Sequence, residues 1–170
     1  MTEAIVNEQW RSTSGYIDYQ VSNLGRVRNA NTGKILKGTV SNHGYKVINL
    51  RGDLGAKTFC IHRLVAQEFV SNPDDKSYVD HVDRDKGNNM SSNLRWTTSS
   101  ENNMNRPKDK RASTSASRFK GVHWNIEKKK WRAQMGRKHI GYFDNEEDAA
   151  RAYNQKATDA FGKIAYVNEI

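Results

Sequence analysis

The stretch from Asp80 to Asn103 is rich in side chains that can bind a cation or accept a proton. Asp80 and His81 are adjacent, a polar loop follows, and Asn93 and Asn102 come twelve and twenty-one residues after His81. Phosphodiester hydrolysis requires a base to deprotonate water, hard oxygen ligands for a divalent cation, and a group that holds the base. The pattern therefore predicts metal-assisted hydrolysis of a phosphodiester.

The polar loop could also be a calcium-binding loop of the EF-hand type or a plain solvated loop. Counted from Asp83, the fifth position is Gly87 and the twelfth is Leu94, whereas an EF-hand requires oxygen ligands at both positions. This spacing disfavours a calcium loop of that type. On the residues alone, a solvated surface loop stays open as the alternative.

Composition indicates an anionic partner. The 170 residues carry 28 Lys and Arg against 19 Asp and Glu, a formal net charge of +9. Residues 106–140 hold twelve basic and two acidic side chains, whereas residues 71–105 hold four and six. The single cysteine, Cys60, excludes a disulfide framework and a zinc site built on cysteines.

The chain contains no apolar run of the roughly 20 residues that a membrane span requires. Residues 1–7 lack the basic and apolar regions of a signal peptide. We expect a soluble, intracellular protein with no membrane partner. Its location stays open, with a phage- or virus-infected host cell as one interpretation.

The first half of the chain predicts short strands followed by a helix. Alternating residues in Tyr19–Arg28 around an Asn/Gly turn predict a hairpin, and Tyr45–Leu50 predicts another strand. Thr58–Ile61 is predicted to be a strand and His62–Phe69 a helix with one apolar stripe. We interpret His62 as a hydrogen-bonded structural histidine.

The Asp-His pair is predicted to lie at the end of a strand, Tyr78–His81. Asp83–Asn89 forms the polar loop, and Asn93–Trp96 returns from it. A helix starting near Glu101 would have Asn102 in its first turn, facing back toward the strand.

Residues 106–117 contain Pro107, a Ser/Thr/Ala tract and a cluster of basic side chains, and we interpret them as a linker that could follow a DNA groove. The basic residues of this segment are Arg106, Lys108, Lys110 and Arg111. A flexible linker without DNA contacts is the alternative.

Residues 118–168 predict three antiparallel strands and one helix. The strands are Arg118–Asn125, Trp131–Met135 and Arg137–Phe143, and the helix is Glu146–Phe161, capped by Asp144 or Asn145. With the helix behind the sheet, the other face would be open to DNA. The residues predicted to contact DNA from this unit are Lys120, His123, Asn125, Arg132, Gln134, Arg137 and His139.

The first hundred residues resemble the HNH nuclease family, specifically the intron-encoded homing endonucleases of phages. The segments that carry the upstream modular motif are Trp10, Gly15-Tyr16, Tyr19–Val27 and Gly44-Tyr45. The nuclease motif is carried by His62–Ala66, Asp80-His81, Asn93–Trp96 and Asn102.

The resemblance implies a role for each position of the nuclease motif. His81 would be the general base, and Asn93 would brace the loop and hold the base. Asp80 and Asn102 would ligate one cation through oxygen, which suits Mg²⁺ or Mn²⁺ better than zinc. By the same resemblance, the products would carry 5′-phosphate and 3′-hydroxyl ends.

The last fifty residues are similar to the plant APETALA/ethylene-response-factor DNA-binding domain. The matching segments are Phe119–Val122, Trp131–Ala133, Ile140–Phe143 and Glu146–Tyr153. In that domain the sheet lies in the major groove of DNA. Several base-reading positions differ here, so we do not transfer the plant domain's base preference.

We therefore predict an α+β protein with four segments. These are an N-terminal β motif (1–55), a ββα-metal HNH nuclease domain (56–105), a basic linker (106–117) and a three-stranded antiparallel sheet packed on one helix (118–168). The predicted function is site-specific cleavage of double-stranded DNA, one strand per monomer. The alternatives are a non-catalytic, sequence-specific DNA-binding protein and an RNA-binding accessory protein. A monomer is expected, with a dimer as the alternative; the target sequence is not encoded in any motif.

Overall fold

A computed structural model describes residues 7–53, 55–106, 108, 117–162 and 165–170. The chain divides into two compact units, residues 1–98 and residues 99–170. Among the described residues there are four small antiparallel sheets and three helices. The predicted α+β class is confirmed. No helix in the described ranges is long and apolar enough to cross a membrane.

The first unit contains three of these sheets and one helix. The first sheet consists of β1 (Trp10–Thr13), β2 (Tyr16–Ser22) and β3 (Val27–Asn29). The second consists of β4 (Thr39–Val40), β5 (Lys46–Gly52) and β6 (Gly55–Cys60), and helix α1 (Ile61–Phe69) follows directly. The third pairs β7 (Tyr78–His81) with β8 (Leu94–Thr97) around the polar loop.

One hydrophobic core joins these elements. It is formed by buried residues of β2, β3, β5, β7 and β8 and by the apolar stripe predicted for α1, whose members recur every third or fourth residue. The buried members are Tyr16, Val21, Val27, Ile48, Leu50, Ile61, Leu64, Val65, Ala66, Val79 and Leu94. The N-terminal sheets and the hairpin carrying the Asp-His pair therefore share a single core.

The second unit contains the predicted three-stranded sheet with a helix packed on it. Its elements are α2 (Ser99–Asn105), β9 (Val122–Asn125), β10 (Lys130–Met135), β11 (Lys138–Phe143) and α3 (Glu146–Phe161). Asn145 caps α3, because its Oδ1 accepts a hydrogen bond from the Asp148 N–H at 2.7 Å. Ala149 and Ala150 are fully buried in a cluster with Ala133, so the small side chains let the helix lie close to the sheet.

One local prediction in this unit is wrong. Residues 118–121 form a bend and a turn, and the strand begins only at Val122. Gly121 has a φ of +76°, and a Cβ on it would lie 2.2 Å from Cδ2 of Tyr153. The chain therefore turns against α3 at a position that only glycine can occupy, and Phe119 becomes buried.

Candidate active site and candidate nucleic-acid interface

Strands β7 and β8 fix the position of the Asp80 carboxylate. Asp80 lies opposite Arg95 in the antiparallel register, and His81 lies opposite Leu94. Asp80 Oδ2 accepts hydrogen bonds from Arg95 Nη2 at 2.5 Å and from Arg95 Nε at 3.2 Å. Both side chains are largely buried, so this charge-assisted pair restrains the carboxylate at the end of the strand.

His81 points to the interior of the first unit, because it is two residues from buried Val79 on the same face of β7. The residue is 4% exposed, and its Nε2 lies 2.9 Å from Oδ1 of Asn89, a residue that is 3% exposed. With Oδ1 as the acceptor, the Nε2 position carries the proton of the neutral ring, and Nδ1 is then the basic nitrogen.

Asn93 joins the two ends of the polar loop. Its Nδ2 donates to Asp83 Oδ1 and to the Asn88 carbonyl, both at 2.8 Å, and its Oδ1 accepts from the Asp83 N–H at 3.0 Å. Its own carbonyl accepts from the Val82 N–H at 2.8 Å. These four bonds hold the loop that begins immediately after His81.

The Asp83 carboxylate is the acceptor at the centre of the loop. Burial raises its pKa, but hydrogen bonds from Asn93, Asn88 and the Asp85 N–H, together with the neighbouring His81, outweigh this and lower the pKa below its ordinary value. The loop is thus organised around an ionised carboxylate.

Two further rings surround His81. The His62 ring centroid lies 5.1 Å from that of His81, and the Tyr45 centroid lies 4.9 Å from His62 and 6.2 Å from His81. Burial, the neighbouring His81 and Arg63 lower the pKa of His62 to about 4. His62 is therefore neutral around pH 7. Its Nδ1 has no hydrogen-bond partner in the described part of the chain, unlike the hydrogen-bonded histidine predicted from sequence.

The second predicted cation ligand, Asn102, is half-buried in α2. Because α2 belongs to the second unit, the convergence of Asn102 with Asp80 stays a prediction. Over the described ranges, no group of three or more His, Cys, Asp or Glu side chains is arranged to hold a metal ion. The chemistry of the two predicted donors, a carboxylate and an amide oxygen, fits a hard divalent cation.

The sheet of the second unit brings most of the predicted DNA contacts onto one face. Directly paired residues lie on the same face of an antiparallel sheet. Arg132 pairs with His123 and Tyr142, Gln134 pairs with His139, and Lys130 pairs with Asn125. We call these residues the outer face: His123, Asn125, Lys130, Arg132, Gln134, His139 and Tyr142. The alternate positions, such as Ala133, point toward α3.

Within the outer face, His123 is partly buried. Burial, followed by the nearby charges of Lys108 and Arg132, lowers the pKa of His123. It can therefore act as a neutral hydrogen-bonding group next to the Arg132 guanidinium. Nε of Arg132 has no hydrogen-bond partner among the described residues.

Lys120, also predicted to contact DNA, lies in the turn before β9 and not on this face, and its DNA contact stays a prediction. Its ammonium donates to the carbonyls of Asn103 at 3.0 Å, Met104 at 2.9 Å and Arg106 at 2.6 Å. An ammonium has three donors, and these carbonyls at the end of α2 use all three. Lys120 therefore ties α2 to the sheet of the second unit.

The remaining predicted contacts lie outside the sheet. Arg137 is exposed in the turn between β10 and β11. Arg106 is exposed just after α2, and Lys108 Nζ donates to the Ser117 carbonyl. Lys110, Arg111 and most of the predicted linker lie outside the described residues.

Sequence reasoning missed several members of both sites. Lys130 and Tyr142 could have been found from the two-residue period of their strands. Asn89 and Tyr45 could not, because their contacts with His81 and His62 depend on how distant segments pack.

Comparison with known proteins matches two family descriptions to the first hundred residues. Residues 8–51 match the NUMOD4 motif, and residues 60–104 match the HNH endonuclease family. The DNA endonuclease I-HmuI of Bacillus phage SP01 is 43% identical over 102 residues, which cover 58% of this chain and 59% of that protein. The uncharacterized HNH endonuclease L245 of Acanthamoeba polyphaga mimivirus is 40% identical over 94 residues, covering 55% of this chain and 28% of that protein.

A solved structure of DNA binding and cleavage by the HNH homing endonuclease I-HmuI is also similar. The TM-score is 0.50 at 44% identity, and the match covers 53% of this chain and 52% of that one. The chain thus spans between about a quarter and three fifths of the length of these relatives.

Proposed function

Over residues 8–104 the chain is a homologue of the HNH homing endonucleases that carry a NUMOD4 motif, and from this premise we propose that it is a metal-dependent DNA endonuclease. The observation that carries the proposal is the His81–Asn89 pair. The buried His81 imidazole is fixed through Nε2 at 2.9 Å from Asn89 Oδ1, and the adjacent Asp80 carboxylate is fixed by Arg95. A ring oriented in this way can act as a general base through its other nitrogen.

In the proposed reaction, Nδ1 of His81 takes a proton from water as the water oxygen attacks the scissile phosphorus in line. The bond from phosphorus to the 3′ oxygen breaks, and that oxygen takes a proton from solvent. The products carry 5′-phosphate and 3′-hydroxyl ends. Asn89 keeps the His81 ring oriented, and Asn93 keeps the loop closed during this step.

Asp80 and Asn102 are the proposed ligands of one Mg²⁺ or Mn²⁺ ion. A carboxylate offers about four lone pairs, so Asp80 can keep its bond to Arg95 and still bind a cation. When bound, the cation supplies positive charge beside the phosphate oxygens.

The second unit is the proposed DNA-binding domain, of the APETALA/ethylene-response-factor type. Its support is the outer face, where Arg132, His123 and Gln134 lie on the side of the sheet opposite α3. Arg132 is partly exposed on this face beside His123, and its guanidinium is the proposed contact to a DNA phosphate or base edge. We propose that the whole chain binds double-stranded DNA as a monomer and nicks one strand per site.

A nicking assay on supercoiled plasmid and on genomic DNA of candidate hosts tests the endonuclease. Wild type is expected to nick with Mg²⁺ or Mn²⁺ and to stop with chelator. His81→Ala should lower the rate by about 10²- to 10⁴-fold, the usual contribution of a general base, and leave DNA binding intact. His43→Ala is the matched control, because His43 is exposed in the same unit. This variant is expected to cut at the wild-type rate.

The proposal fails if His81→Ala cuts at the wild-type rate. Tight binding of duplex DNA by wild type without cleavage of any of these DNAs would instead favour the alternative, a non-catalytic DNA-binding protein.

A further inference from the structure

A turn of the N-terminal sheet lies directly against the loop that carries Asn89. Gly25, in the turn between β2 and β3, has a φ of +79°. A Cβ on Gly25 would lie 2.8 Å from Cβ of Asn89 and 2.9 Å from its carbonyl oxygen. Side chains do not approach backbone atoms this closely, so the contact exists only because residue 25 is glycine.

A second contact fixes the same turn to the same loop. The Ser91 N–H donates to the Asn23 carbonyl at 2.8 Å. Asn23 is itself held in place, because its N–H donates to the Gln9 carbonyl at 3.1 Å and its Oδ1 accepts from the Gln9 N–H at 2.8 Å. The backbone from Asn89 to Ser91 is therefore held at two points by the turn between β2 and β3.

The two polar atoms of the Asn89 side-chain amide differ in their contacts. Oδ1 lies 2.9 Å from His81 Nε2, whereas the buried Nδ2 has no partner among the described residues. A buried amide nitrogen without a partner lowers stability. Among the described residues, the contact of Oδ1 with His81 Nε2 is therefore the one hydrogen bond that the Asn89 side chain makes.

We propose that the segment matching the NUMOD4 motif, residues 8–51, positions His81 for catalysis. The contact with Gly25 fixes the position of Asn89. The hydrogen bond to Asn89 then keeps the proton of the His81 ring on Nε2 and the lone pair on Nδ1. Gly25 and Asn89 are positioning residues, and neither needs to touch DNA. This inference rests on the proposed role of His81 as the base.

Three variants and one control test the proposal in the full chain. Asn89→Leu keeps the volume but removes the acceptor, Asn89→Asp keeps an acceptor, and Gly25→Ala forces the contact apart. Gly33→Ala is the control, because Gly33 has a φ of +70° with nothing within 4 Å of an added Cβ. The Gly33→Ala variant therefore shows the effect of placing alanine at a positive φ, without the steric clash that Gly25→Ala creates with Asn89.

The first readout is the pair of ¹⁵N shifts of the neutral His81 ring, without DNA or metal, in alkaline buffer. The wild type, Asn89→Asp and Gly33→Ala proteins should show the Nε2–H tautomer, and Asn89→Leu and Gly25→Ala a mixture. The second readout is single-turnover cleavage. Asn89→Leu and Gly25→Ala should cut about 10²-fold more slowly at unchanged Kd, at the low end of a general base's contribution.

A wild-type tautomer and rate in Asn89→Leu overturn the inference, as does a wild-type His81 spectrum in folded Gly25→Ala. If Gly25→Ala does not fold, Asn89→Leu decides. Failure of the endonuclease proposal is distinguishable from failure of this inference. In that case His81→Ala would still cut DNA, whichever tautomer the Asn89 variants show.

Discussion

The two candidate sites of this chain differ in how their side chains are held. In the first unit, His81, Asn89 and Asn93 are buried and joined to neighbouring groups by hydrogen bonds of 2.8 to 3.0 Å. In the second unit, the outer-face residues lie on one side of a sheet whose other side packs on α3. One site is set into a core, and the other is spread over a surface.

The difference matches what each proposed task requires. Proton transfer loses efficiency when the base moves by a fraction of an ångström, so it favours a restrained ring. Attraction to a polyanion acts over about 10 Å and tolerates mobile side chains. Substitutions should therefore affect geometry and stability in the first unit, and affinity in the second.

The largest effect is expected from Asn93→Ala. It removes three side-chain hydrogen bonds of the loop, each worth about 1 kcal/mol or more where the partner is left unsatisfied, so the first unit should lose about 3 to 4 kcal/mol. Hydrogen exchange of the Val65 amide, in the core of that unit, measures the loss. Asn31→Ala, at an exposed turn, should change it little; equal protection in both variants would contradict the interior network.

A smaller effect in the same unit depends on pH. The pKa of His62 is about 4 in the folded chain and about 6.5 when unfolded, so the unfolded state binds more protons between these values. Stability should fall by about 3 kcal/mol as the pH drops from 6.5 to 4, at about 1.4 kcal/mol per pKa unit. The pKa of Asp83 is lowered from the usual carboxyl value, so protonation of Asp83 reduces the stability only at lower pH.

Urea unfolding across this pH range should show the slope in wild type and lose most of it in His62→Phe, which keeps a ring of similar size. Substitution of exposed His43 by Gln should leave the slope as it is. If His62→Phe retains the full slope, another group is responsible.

The smallest effect is expected on the outer face. Arg132→Ala should weaken DNA binding by about tenfold and reduce the salt dependence by about one ion, because one phosphate contact is lost. Its cleavage rate at saturating DNA should not change. Lys156→Ala removes the same charge from an exposed position of α3, on the helix behind the sheet, and should bind normally. Equal loss in both variants would mean that only net charge matters.

Local signals in the sequence were sufficient for much of the fold. The strand Tyr78–His81 and the helix Glu146–Phe161 have the predicted bounds, because a strand's alternation, a cap at Asn145 and acidic residues in the first turn are encoded by neighbours. The bend at residues 118–121 was missed because Gly121 responds to Tyr153, more than thirty residues away.

The same distinction applies to the sites. The outer face could be predicted because strand geometry fixes which residues share a side. The partner of His81 could not, because Asn89 is one of two adjacent asparagines in the polar loop, and only its contact with Gly25 distinguishes it. The hydrogen bonds of Lys120 could not be predicted, because a lysine's formal charge does not reveal the backbone carbonyls that it binds.

The hairpin of β5 and β6 has a consequence for building chimaeras from related nucleases. The two family matches end at residue 51 and resume at residue 60, and the junction between them falls inside this hairpin, whose pairing runs from Val47–Cys60 to Gly52–Gly55. A crossover at this junction would pair strands from different parents across six positions. Residues 8–104 should therefore be exchanged between homologues as a single cassette.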